Sequence, residues 1–151
     1  MKLVVCALIV NQGKLLIVQH GPNTGHPLKW EFPGGKIKPG ELHEAALIRE
    51  VTEELNIRIA IDIALEPVTY SYPGKDIQLF PFLCRWESGT FVLKEHVDSM
   101  WIDPEYCLDY DMLPADFEML ARGNNFPELL HYAGKEAKEH REQNTPTGDR
   151  H

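Results

Sequence analysis

Positive charge is scarce in this chain: 15 Lys and Arg stand against 23 Asp and Glu, a formal net charge of -8 over 151 residues. Polyanionic backbones are held by clustered Lys and Arg, so a nucleic-acid polymer is not the expected partner. Long apolar runs are also missing. No stretch approaches the ~20 apolar residues that cross a bilayer, and the N-terminus lacks a charged region followed by a long apolar stretch and a cleavage site. Cysteine is sparse, and Cys6, Cys84 and Cys107 have neither disulfide nor metal-ligand spacing; Cys6 and Cys84 lie in apolar runs where buried thiols are common. These absences lead to the expectation of a soluble, unprocessed, cytoplasmic protein. There is no internal repeat or linker, and the length fits one domain with a real core.

What is present reads as alternating strands and helices. Residues 2–10 and 14–19 are β-branched-rich runs around Asn11-Gln12-Gly13, a hairpin pattern, and 20–29 turn to the Gly, Pro and Asn of a loop. A helix is expected over 42–55, a strand-like stretch over 58–72, a turn at Pro73-Gly74 and a strand over 76–86. Glu87-Ser88-Gly89 reads as a further turn, 90–94 and 98–102 as short strands, and Leu113 or Pro114 to Arg122 as a second helix. A last helix is expected to start near Phe126, with Asn125 as its cap and Pro127 in its first turn. From Gly134 onward the chain is almost entirely polar, so the domain is expected over 1–133 and a frayed, mobile tail over 134–151, dispensable for folding. Strands around an acidic helix, with another helix later, indicate an α/β (α+β) fold with a mixed sheet between helices.

The most informative segment is Gly35 to Ile57. A glycine turn, Gly35-Lys36-Ile37-Lys38-Pro39-Gly40-Glu41, is followed by Arg49-Glu50-Val51-Thr52-Glu53-Glu54-Leu55-Asn56-Ile57. On a helix Glu50 and Glu54 are one turn apart with Glu53 between them, while Leu47, Ile48, Val51 and Leu55 gather on roughly the opposite face. Like charges at this spacing repel, and a divalent cation removes that penalty. A solvated acidic helix is the bland alternative. Magnesium takes oxygen ligands and keeps waters, completing its shell from carboxylates and substrate phosphates, so an acidic chain can hold a small phosphorylated substrate through the ion.

The spacing resembles the Nudix box: Gly35, Glu41, Arg49, Glu50, Val51, Glu53, Glu54 and Ile57 fall in register, and only the late glycine differs, replaced by Asn56. Asn is the best non-glycine residue for a left-handed helix exit, so the departure is conservative. The likeness covers about residues 2–122 and is greatest to the MutT-type group of nucleoside triphosphate pyrophosphohydrolases, through Trp30-Glu31-Phe32-Pro33-Gly34-Gly35-Lys36-Ile37, Glu95-His96 before Trp101, and Pro114-Ala115-Asp116. It implies an α/β/α sandwich and a small-molecule nucleotide substrate, with the protein monomeric or homodimeric. The implied reaction is Mg2+-assisted attack of water on a (d)NTP, giving the monophosphate and pyrophosphate, and Mn2+ is an expected substitute.

By the same resemblance Glu53 and Glu54 are direct metal ligands, joined by the carbonyl of Gly35 or Gly34, and Glu50 is the general base or a further ligand. Glu95 is a loop carboxylate that approaches the metal, or else faces solvent. Arg49 reaches Glu53 at i,i+4 and is expected to hold that carboxylate. His96 reads as a loop histidine, since magnesium favours oxygen. Lys36 is a candidate for phosphate contact. Phe32 either stacks on the base or belongs to the core. Asp116 either bonds the base or serves as a first-turn carboxylate of the second helix; ionised, it only accepts hydrogen bonds. His20 stands where the oxo-guanine-specific type carries an arginine, which opens a CTP-type range beside oxidised or non-canonical nucleotides such as 8-oxo-dGTP. A regulatory Nudix-like module that binds without hydrolysis is a different class, but such modules usually lose box carboxylates, and here all are present.

Overall fold

The structure is a computed structural model that describes residues 1–144. Strand β1 (Lys2–Asn11) turns through Gln12 and Gly13, both at positive φ, into β2 (Lys14–Gln19). Short strands β3 (Trp30–Glu31) and β4 (Gly34–Lys36) lead to helix α1 (His43–Leu55). Strands β5 (Ile57–Ala64), β6 (Val68–Tyr72), β7 (Lys75–Gly89) and β8 (Asp98–Ile102) follow, then a 3-10 helix at Pro104–Asp109 and helices α2 (Pro114–Ala121) and α3 (Asn125–Gln143).

One mixed sheet organises these elements. Strand β1 runs parallel to β7 in continuous register from Lys2↔Ile77 to Val10↔Arg85, and antiparallel to β4 through Val5↔Gly35 and Cys6↔Gly34. Side chains alternate across a strand, so β1 feeds two cores. Val5, Ala7 and Ile9 pack beneath α1 with Leu47, Val51 and Leu55, whereas Cys6, Leu8 and Val10 pack with Met119 and Leu120 of α2 and Leu129 of α3. This is the expected α/β/α layering. Each fully buried aliphatic side chain contributes about 1.5–3 kcal/mol, which fixes the face α1 turns to the sheet and hence the face left to its carboxylates. All three cysteines are buried and free.

The structure departs from the sequence reading where a local pattern was overridden. The 58–72 stretch is two strands, because Pro67 interrupts the ladder, and both pair with the long β7. Glu87-Ser88-Gly89 is not a turn but the end of β7, where Ile57 faces Gly89 and register shifts in β5 extend the pairing. Residues 90–94 form no strand; Val92 and Lys94 donate instead to the carbonyls of Leu55 and Glu54 at the end of α1. Helix α3 crosses the boundary expected at 133/134 and continues to Gln143, in place of the frayed end. The remainder of the expected tail, 145–151, lies outside the described residues.

The polar half of α3 is seated on the β1–β2 turn. The Gly13 N–H donates to Glu136, and a Cβ built on Gly13 would lie 2.6 Å from the Cβ of Ala137. Gly13→Ala should therefore lower stability by about 2 kcal/mol or more, adding that contact to the left-handed backbone cost at φ 77. In thermal unfolding this is a Tm drop of roughly 4–8 °C. Adding Ala137→Gly should relieve only the steric part, giving a favourable coupling between the two substitutions. Unchanged Tm in Gly13→Ala would mean that α3 is not seated there.

Candidate functional site

Helix α1 ends through Asn56 at φ 59 and ψ 27, the left-handed exit expected of that residue, and its side chain donates to the Thr90 carbonyl at 3.0 Å. The segment after Asn56 returns along this end of the helix, where the Lys94 N–H bonds to the Glu54 carbonyl at 3.1 Å. Glu95, the next residue, is exposed and near enough that its charge opposes ionisation of Glu54.

The carboxylates of α1 sit in three different environments. Glu53 is half-exposed, Glu50 is mostly covered against β4, and Glu54 is 5 % exposed. A Cβ on Gly35 would lie 2.4 Å from the carboxyl carbon of Glu50, so the absence of a side chain at Gly35 is what lets Glu50 rest there. Gly34 is tighter still, with Val5 O 2.0 Å from its notional Cβ. One oxygen of Glu54, Oε2, is buried without a hydrogen-bond partner. Burial, then repulsion from Glu31, Glu50 and Glu95, pushes the Glu54 pKa up to about 9, against a backbone hydrogen bond from Gly34. Such an arrangement is short of positive charge. A divalent cation fits it: the donors are all oxygen, and the orphaned Oε2 of Glu54 is the kind of buried acceptor that an ion satisfies.

Arg49 does more than reach Glu53. Its guanidinium forks onto Glu41 at 2.8 and 2.9 Å, meets Glu50 at 3.0 Å and Glu53 at 3.3 Å, and donates to the Lys36 carbonyl at 3.1 Å. The Arg49 fork, then the Lys38 N–H, hold Glu41 down at about 2. Glu41 thus anchors Arg49, and Arg49 orients two of the cluster's carboxylates. The role of Glu41 was visible in the sequence only as a position in register; the contact depends on how the glycine turn folds back on α1.

A cavity of about 160 Å³ adjoins this cluster, walled by His20, His26, Glu31, Phe32, Gly35, Tyr72 and Asp116. Asp116, in the first turn of α2, is buried and accepts the Phe32 N–H at 3.0 Å. Burial, reinforced by Glu31, drives its pKa well above the usual carboxylate range. Phe32 is 1 % exposed and packs in the core, so of its two readings the structure supports the second. His20 reaches the cavity but leans on Glu31, which also contacts His96 at 3.0 Å. His96 lies on the loop before β8, as expected, and its side chain is 8 % exposed. Glu31 was quoted in the sequence motif without a role, and strand pairing with β2 is what brings it to His20. Lys36 is not brought to this cavity; it lines a separate depression with Lys2, Lys38 and His43. A larger depression, about 920 Å³ beside Asp62, Arg85 and Tyr132, lies against α3 and shares no residue with the carboxylate cluster.

The two glycines give a paired test. Gly35→Ala meets only the movable end of Glu50, so it should fold normally yet weaken Mn2+ binding by about tenfold, read by paramagnetic titration. Gly34→Ala meets the β1 backbone and should lower Tm strongly. Equal Mn2+ affinity in wild type and Gly35→Ala would separate Glu50 from the cation site.

Comparison with known proteins agrees with this geometry. The NUDIX domain profile matches residues 1–123. The CTP pyrophosphohydrolase of Escherichia coli K12 is 34% identical over 117 residues, covering 78% of this chain and 87% of that protein. The 8-oxo-dGTP diphosphatase of Haemophilus influenzae is 32% identical over 113 residues, covering 74% and 82%. The solution structure of the E. coli ORF135 protein superposes with a TM-score of 0.70 at 33% identity, covering 80% of this chain and 86% of that one. No described helix is long and apolar enough to cross a membrane. The box residues in register, the layered sheet and a profile match over most of the length lead to one conclusion: the chain belongs to the Nudix family.

Proposed function

We propose that this chain converts a nucleoside triphosphate to the monophosphate and pyrophosphate with Mg2+ at the α1 carboxylates, Mn2+ serving in its place. It is a nucleotide pyrophosphohydrolase, and the observation that carries the reading is the convergence of Glu50, Glu53 and Glu54 on one end of α1, with a buried oxygen of Glu54 left unpartnered. Glu53, Glu54 and a Gly35 or Gly34 carbonyl would hold the ion, with Glu95 approaching from its loop. When bound, the ion polarises phosphoryl oxygens and lowers the pKa of water. Glu50, mostly covered and bonded to Arg49, would accept the proton of the attacking water. The intact set of carboxylates favours catalysis over a purely regulatory binding module.

The base is read in the adjoining cavity. Asp116 and Glu31 present carboxyl groups there, and a neutral Asp116 pairs with an edge that offers one donor beside one acceptor. The edges of an oxidised guanine and of cytosine both meet that requirement. We take 8-oxo-dGTP and similar altered nucleotides as the first substrates and CTP or dCTP as the second. One observation favours the second: His20 is engaged with Glu31, where an oxo-guanine-specific site would offer a free arginine.

Turnover should require Mg2+ or Mn2+, and Glu53→Gln or Glu54→Gln should reduce kcat/KM by about 100-fold or more, since each removes a main electrostatic stabiliser. Near wild-type turnover in both at saturating metal contradicts the site. Glu50→Gln should lower kcat more than it raises KM and remove the acid limb of the pH profile, with Glu95→Gln the milder variant; the reverse order would put the base on the loop. Asp116→Ala should cost the preferred nucleotide about five-fold to over a hundred-fold in kcat/KM, from roughly 1–3 kcal/mol for a buried partner left unsatisfied. Asp116→Asn should keep most of the preferred activity, because an amide, like a protonated carboxyl, offers a donor beside an acceptor. A panel of ordinary and oxidised nucleotides reads both variants, and a common factor for every substrate would show that Asp116 does not read the base.

A further inference from the structure

Beside the oxygen-donor cluster stands a second group of potential ligands with different chemistry. His20 follows β2, Glu31 ends β3 and His96 precedes β8, and the backbone pins all three. Strand β2 pairs with β3 through Val18↔Glu31 and Gln19↔Trp30, and with β8 through Gln19↔Asp98. The His20 N–H donates to Lys29 O at 2.9 Å, and the Val97 N–H to Gln19 O at 3.0 Å. Three side chains on adjacent strand ends are thus held before any ligand arrives, as a preorganised site requires.

Their donor atoms converge. Both His20 Nε2 and His96 Nε2 approach Glu31 Oε2, the latter at 3.0 Å, and one ligand atom from each residue lies within 4.8 Å of the others. The imidazoles meet edge to face, with centroids 5.6 Å apart and planes at 75°, so they are not stacked. His20 Nε2 is buried and set against Glu31 Oε2 as its ion-pair partner, so the two histidines share one carboxylate oxygen. His96, whose side chain is more than nine-tenths buried, also carries an unpartnered nitrogen, Nδ1.

We propose that His20, Glu31 and His96 form a binding site for a transition-metal ion of the Zn2+, Co2+ or Ni2+ kind, distinct from the Mg2+ carboxylates of α1. Two imidazoles and one carboxylate suit these ions, whereas magnesium prefers an all-oxygen shell. At about 2.0–2.2 Å from nitrogen and oxygen, one ion is reached by small side-chain adjustments of the three residues. The remaining coordination positions open toward the cavity that His20 and Glu31 line. Occupation draws the Glu31 carboxylate away from that cavity, so the ion competes with whatever Glu31 would otherwise bond.

The test is Zn2+ and Co2+ binding to the full chain by calorimetry and visible absorption, with Mg2+ in large excess to occupy the oxygen-donor cluster. The expected result is one tight equivalent, weakened at least tenfold by His20→Ala and by His96→Gln and unchanged by Glu53→Gln. X-ray absorption on Zn-loaded wild type needs no variant and should show two imidazole nitrogens at about 2.0–2.1 Å. An oxygen-only shell, no stoichiometric binding under excess Mg2+, or wild-type affinity in both histidine variants would overturn the site. These readouts do not involve hydrolysis, so they stand or fall apart from the proposed activity.

Discussion

A deficit of positive charge around the end of α1 is the constraint on which the rest of the site depends. Glu31, Glu50 and Glu95 all repel Glu54, whose own burial already opposes ionisation. The guanidinium of Arg49 answers part of that charge, but it is spent on Glu41, Glu50 and Glu53 and never reaches Glu54 among its hydrogen bonds. A fold that holds carboxyl groups this way stores unfavourable electrostatics that a small dication relieves, and the same ion that relieves them brings triphosphate oxygens to the site.

The scaffold exists to fix that arrangement. The parallel register of β1 and β7 sets the sheet, the apolar stripe of α1 sets which helix face meets it, and the close approach of Gly34 and Gly35 to β1 and Glu50 sets the distance between strand and carboxylates. The base cavity is built from the same parts. Phe32, one residue after β3, bonds Asp116 of α2 through its N–H, which ties the cavity wall to the segment leading into β4.

Much of this was legible in the sequence because it is local. The helix and the cluster of Glu50, Glu53 and Glu54 follow from spacing, and the left-handed exit at Asn56 from the resemblance to the Nudix box. What stayed hidden depends on pairing between distant segments. Nothing near Glu31 announces that β2 and β8 deliver His20 and His96 to it, and nothing in Gly134 to Gln143 announces that its small and acidic residues fit the Gly13 turn. The 90–94 run was misread for a related reason: its apolar residues are spent covering the end of α1 and not in a ladder. Asp116 shows the electrostatic version, since its raised pKa comes from burial that sequence position does not reveal.

The central claim is that the α1 carboxylates are a cation site in electrostatic debt, and thermal unfolding with and without Mn2+ tests it most directly. At a hundred times its dissociation constant a ligand adds about 2.7 kcal/mol, which for a chain of this size is roughly 5–10 °C in Tm. Wild type should show that rise. Glu54→Gln should melt at or above wild type without metal, because Gln carries no charge for burial and for Glu31, Glu50 and Glu95 to oppose, and should gain much less from Mn2+. A wild-type Tm indifferent to Mn2+, or an equal Mn2+ increment in Glu54→Gln, would contradict the account.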